Sequence, residues 1–476
     1  MNRKNQFGAL LGVLLLAWLG CMVIYWLPDE IVGLPVKRVD MLSDLWEEPK
    51  AATPVASYSA VAMPDTAEVI AEPAAGDRDS AAVVRRDSVY HAALSAAGAE
   101  ADGVRIEDFT AGHTALQRFF SSLSRVDELG RPVRIAFLGD SFVEGDILLA
   151  DLRAKLQAKF GGRGVGFVPV ASVVEQYRPT VYQRSKGWKT YSLLSHRQHR
   201  YVLSGMLFEA EGGEATVTFK MVNTYPGLEE VSSVKFLYSR NDSAELRLTG
   251  NGARDTFTAT LPATESVRQY EVHATFRDGT FRFRHAKGLQ ALGVALEDER
   301  GVVVDNFSLR SNSGVPLGGL DEGSCRELGK VRPYDLIVLQ YGLNVATEDV
   351  RQYGWYRDRM VQVIQHLRVC FPETDILMLS VSDRSYYSDG AYRTMPAVVS
   401  LRNAQRETAL RTHIAFWDTF RAMGGENGMV RYVKQHWASK DHTHLSFRGG
   451  RELAVALFNA LMIEKDVYAE MDRVEE

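Results

Sequence analysis

A continuous apolar run ends in a small polar turn and gives way at once to helical spacing. In RPVRIAFLGDS, Val133, Ile135, Phe137 and Leu138 lead into Gly139-Asp140-Ser141. DILLADLRAKLQAKFGG follows, with Ile147, Leu148, Leu152, Leu156 and Phe160 at helical intervals and Gly161-Gly162 as the stop. The pattern returns late in the chain. PYDLIVLQYG reads as a strand covered on both faces, and the helix after it carries Tyr356, Met360, Val363, Ile364 and Leu367 on one side. TDILMLSVSD and IAFWDTF read as further strands, and residues 113–129 as a helix before the first. Strands alternating with helices predict an α/β domain with an open parallel sheet and right-handed crossovers.

Between the two halves the period changes. EATVTFKMV places Ala215, Val217, Phe219 and Met221 on one face, and VKFLYS alternates likewise. YEVHATFR and TFRFRH flank Asp278-Gly279, which predicts a hairpin with a type I′ turn. Residues 168–306 therefore read as an all-β module inserted into the α/β domain, whose parts are 113–167 and 307–476. A separate β domain, with the sheet starting only after it, is the alternative. The strand-turn-helix unit at Ser141 argues against it.

The N-terminus has its own logic. Arg3 and Lys4 precede an uncharged run over residues 7–27, FGALLGVLLLAWLGCMVIYWL, with Tyr25 and Trp26 at its far end. About 20 apolar residues span the roughly 30 Å hydrocarbon layer, and positive charge before the run keeps that end inside. The expectation is a transmembrane anchor with everything after Leu27 exported. A cleaved signal peptide is the rival, but the run is longer than its apolar core and no small-residue cleavage site follows cleanly. Residues 28–112, rich in Ala, Pro, Asp, Glu and Ser, read as a disordered linker, because they bury too little to offset their ordering entropy. Lys+Arg 55 against Asp+Glu 60 gives a net charge of -5, which argues against a nucleic-acid partner. Three cysteines cannot build a disulfide scaffold. Cys325 and Cys370 can pair outside the cytoplasm but read more simply as buried thiols.

Three small constellations carry chemistry. Ser141 stands at the carboxyl end of the first strand, where open α/β sheets place their sites, although Gly-Asp-Ser alone is more often a helix cap. Gly342-Leu343-Asn344 follows the DLIVLQY strand, so Asn344 can offer an amide to a developing oxyanion; the bland reading is a turn. Asp441-His442-Thr443-His444 puts a carboxylate three residues before an imidazole, close enough to fix its tautomer. The bland reading there is a solvated His-rich turn. His196 and His199 have no acidic or cysteine cluster beside them and do not read as a zinc site. Tyr201, Tyr225, Tyr238 and Tyr270 fit a β core better than a sugar platform.

Taken together, IAFLGDS, QYGLN and DHTHLS resemble the blocks of the SGNH (GDSL-type) hydrolases. The match is closest to peptidoglycan O-acetylesterases with an inserted carbohydrate-binding-like β module. The resemblance implies a flavodoxin-like, three-layer parallel-sheet hydrolase. It implies Ser141 as nucleophile, His444 as general base and Asp441 as its orienter, with Ser141, Gly314 and Asn344 forming the oxyanion hole. It further implies an acetylated polysaccharide substrate, action in the bacterial periplasm on an inner-membrane anchor, and no metal or cofactor. Val345 after Asn344 and Phe142 after Ser141 depart from the pattern, which bears on substrate fit rather than on the triad. An O-acyltransferase with the same triad and a non-catalytic glycan-binding protein are the alternatives.

Overall fold

The central sheet has six strands in the order Val302–Ser308, Val133–Gly139, Leu336–Gln340, Asp375–Leu379, Ala415–Trp417 and Ile106–Asp108. The first five are parallel and Ile106–Asp108 is an antiparallel edge. Numbered along the chain, the parallel strands run 2-1-3-4-5, the flavodoxin-like order, and the order reverses beside Val133–Gly139. Every residue of Val133–Gly139 and Leu336–Gln340 is buried, which explains their unbroken apolar character. Helix Leu149–Phe160 packs beside Phe447–Glu475, and Gly354–Cys370 packs on Glu322–Val331 and Pro396–Thr412. Right-handed crossovers put these two sets on opposite faces, making three layers. The last helix comes very close to the turn after Ser141. A Cβ on Gly450 would stand 1.9 Å from the carbonyl oxygen of Ile147, so only glycine fits there.

This computed structural model describes residues 30–31, 34–35, 80–96 and 104–475. Met1–Gly76 forms one unit, in which Glu30–Ile31 pairs antiparallel with Leu34–Pro35. The expected membrane segment, residues 7–27, lies outside the described residues. Among those described, no helix is long and apolar enough to cross a membrane. Asp77–Glu476 forms the second unit and holds the parallel sheet, its helices and the β module.

Between the first two parallel strands of the chain come two antiparallel sheets. One runs Arg268–Phe276, Val231–Arg240, Gln290–Glu297, Met206–Ala210, Trp188–Ser192, with Gly166–Val168 also on Gln290–Glu297. The other runs Asp255–Thr260, Glu245–Gly250, Asp278–Arg284, Glu214–Lys220, Tyr182–Lys186. Their facing side chains form one core, in which Phe236 of the first sheet meets Phe281 and Phe283 of the second at 5.7 and 4.6 Å. The reverse face of the first sheet gives Leu237, Leu292 and Ala295 to the core of the α/β part. That sheet is therefore covered on both sides, and Val231–Arg240 is buried well beyond the half expected from its alternation.

Four expectations need correction. Asp278-Gly279 is no turn: Arg268–Phe276 and Asp278–Arg284 lie in different sheets, the chain crosses at Arg277, and Asp278 and Gly279 pair with Lys220 and Phe219. Val302–Ser308, mostly assigned to the insertion, is an edge strand of the parallel sheet, while Gly166–Val168 pairs inside the β module. The helix expected over 113–129 is confined to Gln117–Ser124. Within the supposed linker, Ser80–Ala96 is a helix and Ile106–Asp108 a strand. The helix is Ala-rich and sets Val89, Tyr90, Ala93 and Leu94 against Val467 and Met471 of the last helix. Its apolar stripe was too sparse to signal burial without that partner.

A buried ionic cluster ties the β module to the sheet beneath it. Glu297, on a module strand, accepts from Arg134 (2.7 Å), Arg332 (2.6 Å) and Lys235 (2.9 Å), and Arg332 also pairs with Asp305 at 2.7 Å. The burial of Glu297 would raise its pKa, but these three cations hold it well below the usual carboxylate range. Glu297→Ala would leave buried Arg134 without an acidic partner and take one from Arg332 and Lys235, so we predict a loss of about 3–5 kcal/mol in unfolding free energy. Urea titration checks this, and a loss under about 1 kcal/mol would mean that the cluster holds nothing together. Cys325 and Cys370 are both buried free thiols.

Candidate active site

Ser141 and His444 are far apart in sequence and adjacent in space. Val133–Gly139 delivers Ser141 to the carboxyl edge of the sheet, at the point where the strand order reverses. Helix Leu149–Phe160 does not begin at the serine, as the sequence suggested. A turn and the short 3₁₀ segment Glu144–Asp146 intervene. The loop before Phe447–Glu475 brings His444 over the same edge, and Ser141 Oγ lies 3.2 Å from His444 Nε2. His444 Nδ1 lies 2.7 Å from Asp441 Oδ2. Asp441 Oδ1 accepts the backbone N–H groups of Thr443 (2.9 Å) and His444 (3.0 Å), which fixes the carboxylate against the ring. The side chains of His444 and Asp441 are 42% and 49% exposed, so water reaches the pair.

The electrostatics follow from these contacts. Burial alone would raise the Asp441 carboxyl, but the His444 ring and the two N–H groups bring it down to about 2. The hydrogen bond to Asp441 lifts the His444 pKa above the ordinary 6.5, opposed by partial burial. With Nδ1–H donated to Asp441, Nε2 keeps its lone pair for the serine proton. His442 is not part of this set; its ring stacks on Tyr392.

The oxyanion donors differ from expectation. The Ser141 N–H meets no acceptor among the described residues. Asn344 bonds the residue before the serine, donating to Asp140 Oδ2 (3.0 Å), and also donates to Asn312 O (3.1 Å). Gly314 is corrected: its N–H donates to Asn312 Oδ1 at 2.9 Å and the residue is buried, so it is no free donor. Gly314 instead shapes the turn. Its φ is 88°, and a Cβ there would sit 2.9 Å from the Tyr341 ring. Tyr356, expected to be helix packing, is buried and also bonds Ser313 O at 2.9 Å, holding that turn in place.

Sequence reasoning passed over several of these parts. Asn312 links Gly314 to Asn344, and its signal was an Asn two residues before a Gly. Asp140 is fully buried and accepts from Phe142 N–H and Asn344. Burial pushes its carboxyl up to about 6 against those bonds and the nearby His444. Buried Glu144 pairs with exposed Arg310 at 2.5 Å, and that arginine's charge acts on His444. Neither carried a local signal, because each depends on a partner distant in sequence. His196 and His199 pack their rings on Tyr191, while Tyr201 and Tyr238 are core residues.

No family model matches the sequence, and no curated protein matches it. Among solved structures, a peptidoglycan O-acetylesterase superposes with a TM-score of 0.61 over 75% of this chain and 98% of its own, at 19% identity. The chain therefore shares the fold of that protein. A salicylyl-acyltransferase from a tetracycline biosynthetic pathway (15% identity, 61% of this chain, 96% of its own, TM-score 0.28) also matches. So does a family two carbohydrate esterase from Cellvibrio japonicus (9% identity, 60% of this chain, 99% of its own, TM-score 0.24). Both superpose too loosely to refine the comparison.

Proposed function

We propose that this chain is a serine esterase that removes O-acetyl groups from a cell-envelope polysaccharide, with peptidoglycan as the first candidate. The observation that carries the reading is the unbroken Ser141–His444–Asp441 relay at the switch point of the sheet. His444 Nε2 takes the Ser141 proton as Oγ attacks the acetyl carbonyl. The Ser141 N–H stabilises the oxyanion, and Asn344 joins it by exchanging one of its present acceptors. His444 then protonates the departing sugar oxygen, leaving an acetyl-serine. Water, deprotonated by the same imidazole, releases acetate and restores the serine. His444 and Asp441 are open to water, which can serve as the second acceptor; transfer to a second sugar by the same triad is the alternative.

The polymer is suggested by the resemblance carried by IAFLGDS, QYGLN and DHTHLS and by the peptidoglycan O-acetylesterase that shares the fold. Residues 7–27 and the charges of Arg3 and Lys4 support a single-pass anchor in the bacterial inner membrane with the esterase outside the cytoplasm. The test is acetate release from O-acetylated peptidoglycan, with acetylated xylan and p-nitrophenyl acetate in parallel. Acetate from the first at well above the rate from xylan is expected. Hydrolysis of p-nitrophenyl acetate without release from peptidoglycan would keep the esterase and discard the polymer.

A further inference from the structure

A β-hairpin with exposed aromatic rings packs on His442, in the loop that carries Asp441 and His444. Ser385–Ser388 and Ala391–Thr394 pair antiparallel about Asp389-Gly390, whose φ values of 49° and 78° suit a type I′ turn. A ribbon this short is not stable alone, so its place is set by what holds it. Ser385 N–H donates to His442 O at 3.1 Å, and Met395 N–H to Arg384 O at 2.9 Å. Arg384 in turn reaches Leu343 O and Ala346 O, each at 3.4 Å. The hairpin is thus clamped between the loop that carries Asn344 and the loop that carries Asp441 and His444.

Its side chains make a platform. Tyr392 lies flat on His442, with ring centroids 3.6 Å apart and planes 8° from parallel. Tyr387 meets Tyr392 edge-on at 5.2 Å. Both stay in water, Tyr387 65% and Tyr392 44% exposed. Large rings held in one orientation and left exposed beside a reactive loop form a recognition surface rather than a core. Both arginines of the hairpin are engaged, Arg393 with Asp389 at 3.3 Å and Arg384 with the two carbonyls, so it presents ring faces rather than charge. The electron-rich face of an aromatic ring attracts weakly positive C–H groups, which a pyranose presents from one side.

We propose that Tyr387 and Tyr392 form a sugar-binding subsite, stacking a pyranose ring of the acetylated glycan beside His444; this rests on the esterase reading above. A glycan held there runs along the loop that carries the catalytic base and offers its ester to Ser141. The probe is a muramidase digest of O-acetylated peptidoglycan, assayed beside p-nitrophenyl acetate. In Tyr387→Ala, the ratio of kcat/KM on the digest to that on the small ester should fall at least about tenfold, mainly through KM. Tyr387→Phe, which keeps the ring, should restore the ratio. In a Ser141→Ala background, the same alanine change should weaken binding of the digest by a similar factor in calorimetry. An unchanged ratio in Tyr387→Ala, or no binding of the digest to Ser141→Ala, overturns the subsite. A wild-type protein that binds the digest but hydrolyses neither it nor p-nitrophenyl acetate overturns the esterase reading instead, and the binding arm then decides the subsite.

Discussion

Ser141→Ala is expected to lower kcat for p-nitrophenyl acetate by at least about 10,000-fold, because the members of a triad act as a unit and the loss of one removes most of the relay. The structure makes this a clean experiment. Ser141 Oγ bonds only His444 Nε2 among the described residues, and the serine backbone is placed by a buried strand, not by its hydroxyl. Removing one half-exposed hydroxyl should change unfolding free energy by no more than about 1 kcal/mol. Circular dichroism melts should therefore match wild type while the rate collapses. A variant retaining a tenth or more of the wild-type rate would remove Ser141 from the chemistry.

The second large effect is at Asp441. Asp441→Asn keeps the size of the side chain but replaces the acceptor at His444 Nδ1 with a group that can donate. The imidazole then favours the tautomer with its proton on Nε2, which cannot accept from Ser141. A fall of about 10,000-fold in kcat is expected. The pH profile separates this from mere disorder. In the wild type, kcat/KM should rise with pH as His444 loses its proton, with a midpoint above 6.5, because Asp441 favours the charged ring. The Asp441 carboxyl, held down to about 2, stays ionised throughout that window, so the acid limb belongs to the histidine. Without the carboxylate the limb must move to lower pH. A variant with an unmoved midpoint would show that Asp441 does not govern the His444 proton.

Much of the site was legible because its blocks are local. The apolar run into Gly139-Asp140-Ser141 and the close spacing of Asp441 and His444 are properties of short segments. Both appear in the structure at the sheet edge where a parallel topology would put them. The open parallel sheet follows from strand and helix alternation together with the handedness of crossovers, whereas its flavodoxin-like order was implied only by the resemblance. The donor geometry was not legible. Whether the Gly314 N–H is free depends on Asn312, and whether Asn344 is free depends on Asp140, each fixed by packing around the turn. The helix Ser80–Ala96 was missed for a related reason: its stripe becomes a buried face only when the C-terminal helix lies against it.

Two Asp-Gly pairs draw the line most sharply. Asp278-Gly279 stands between alternating runs and looks like the better turn, yet it lies inside a strand; Asp389-Gly390 makes the turn beside the triad. A dipeptide sets which backbone angles are cheap, and that much the amino-acid order decides alone, as it does the strand-turn-helix blocks and the pairing of Asp441 with His444. Which strands pair, which donors remain open and which rings stay in water depend on contacts between residues far apart in the chain. Their free energies arise only when the whole chain has closed around them, so the tertiary structure alone decided them.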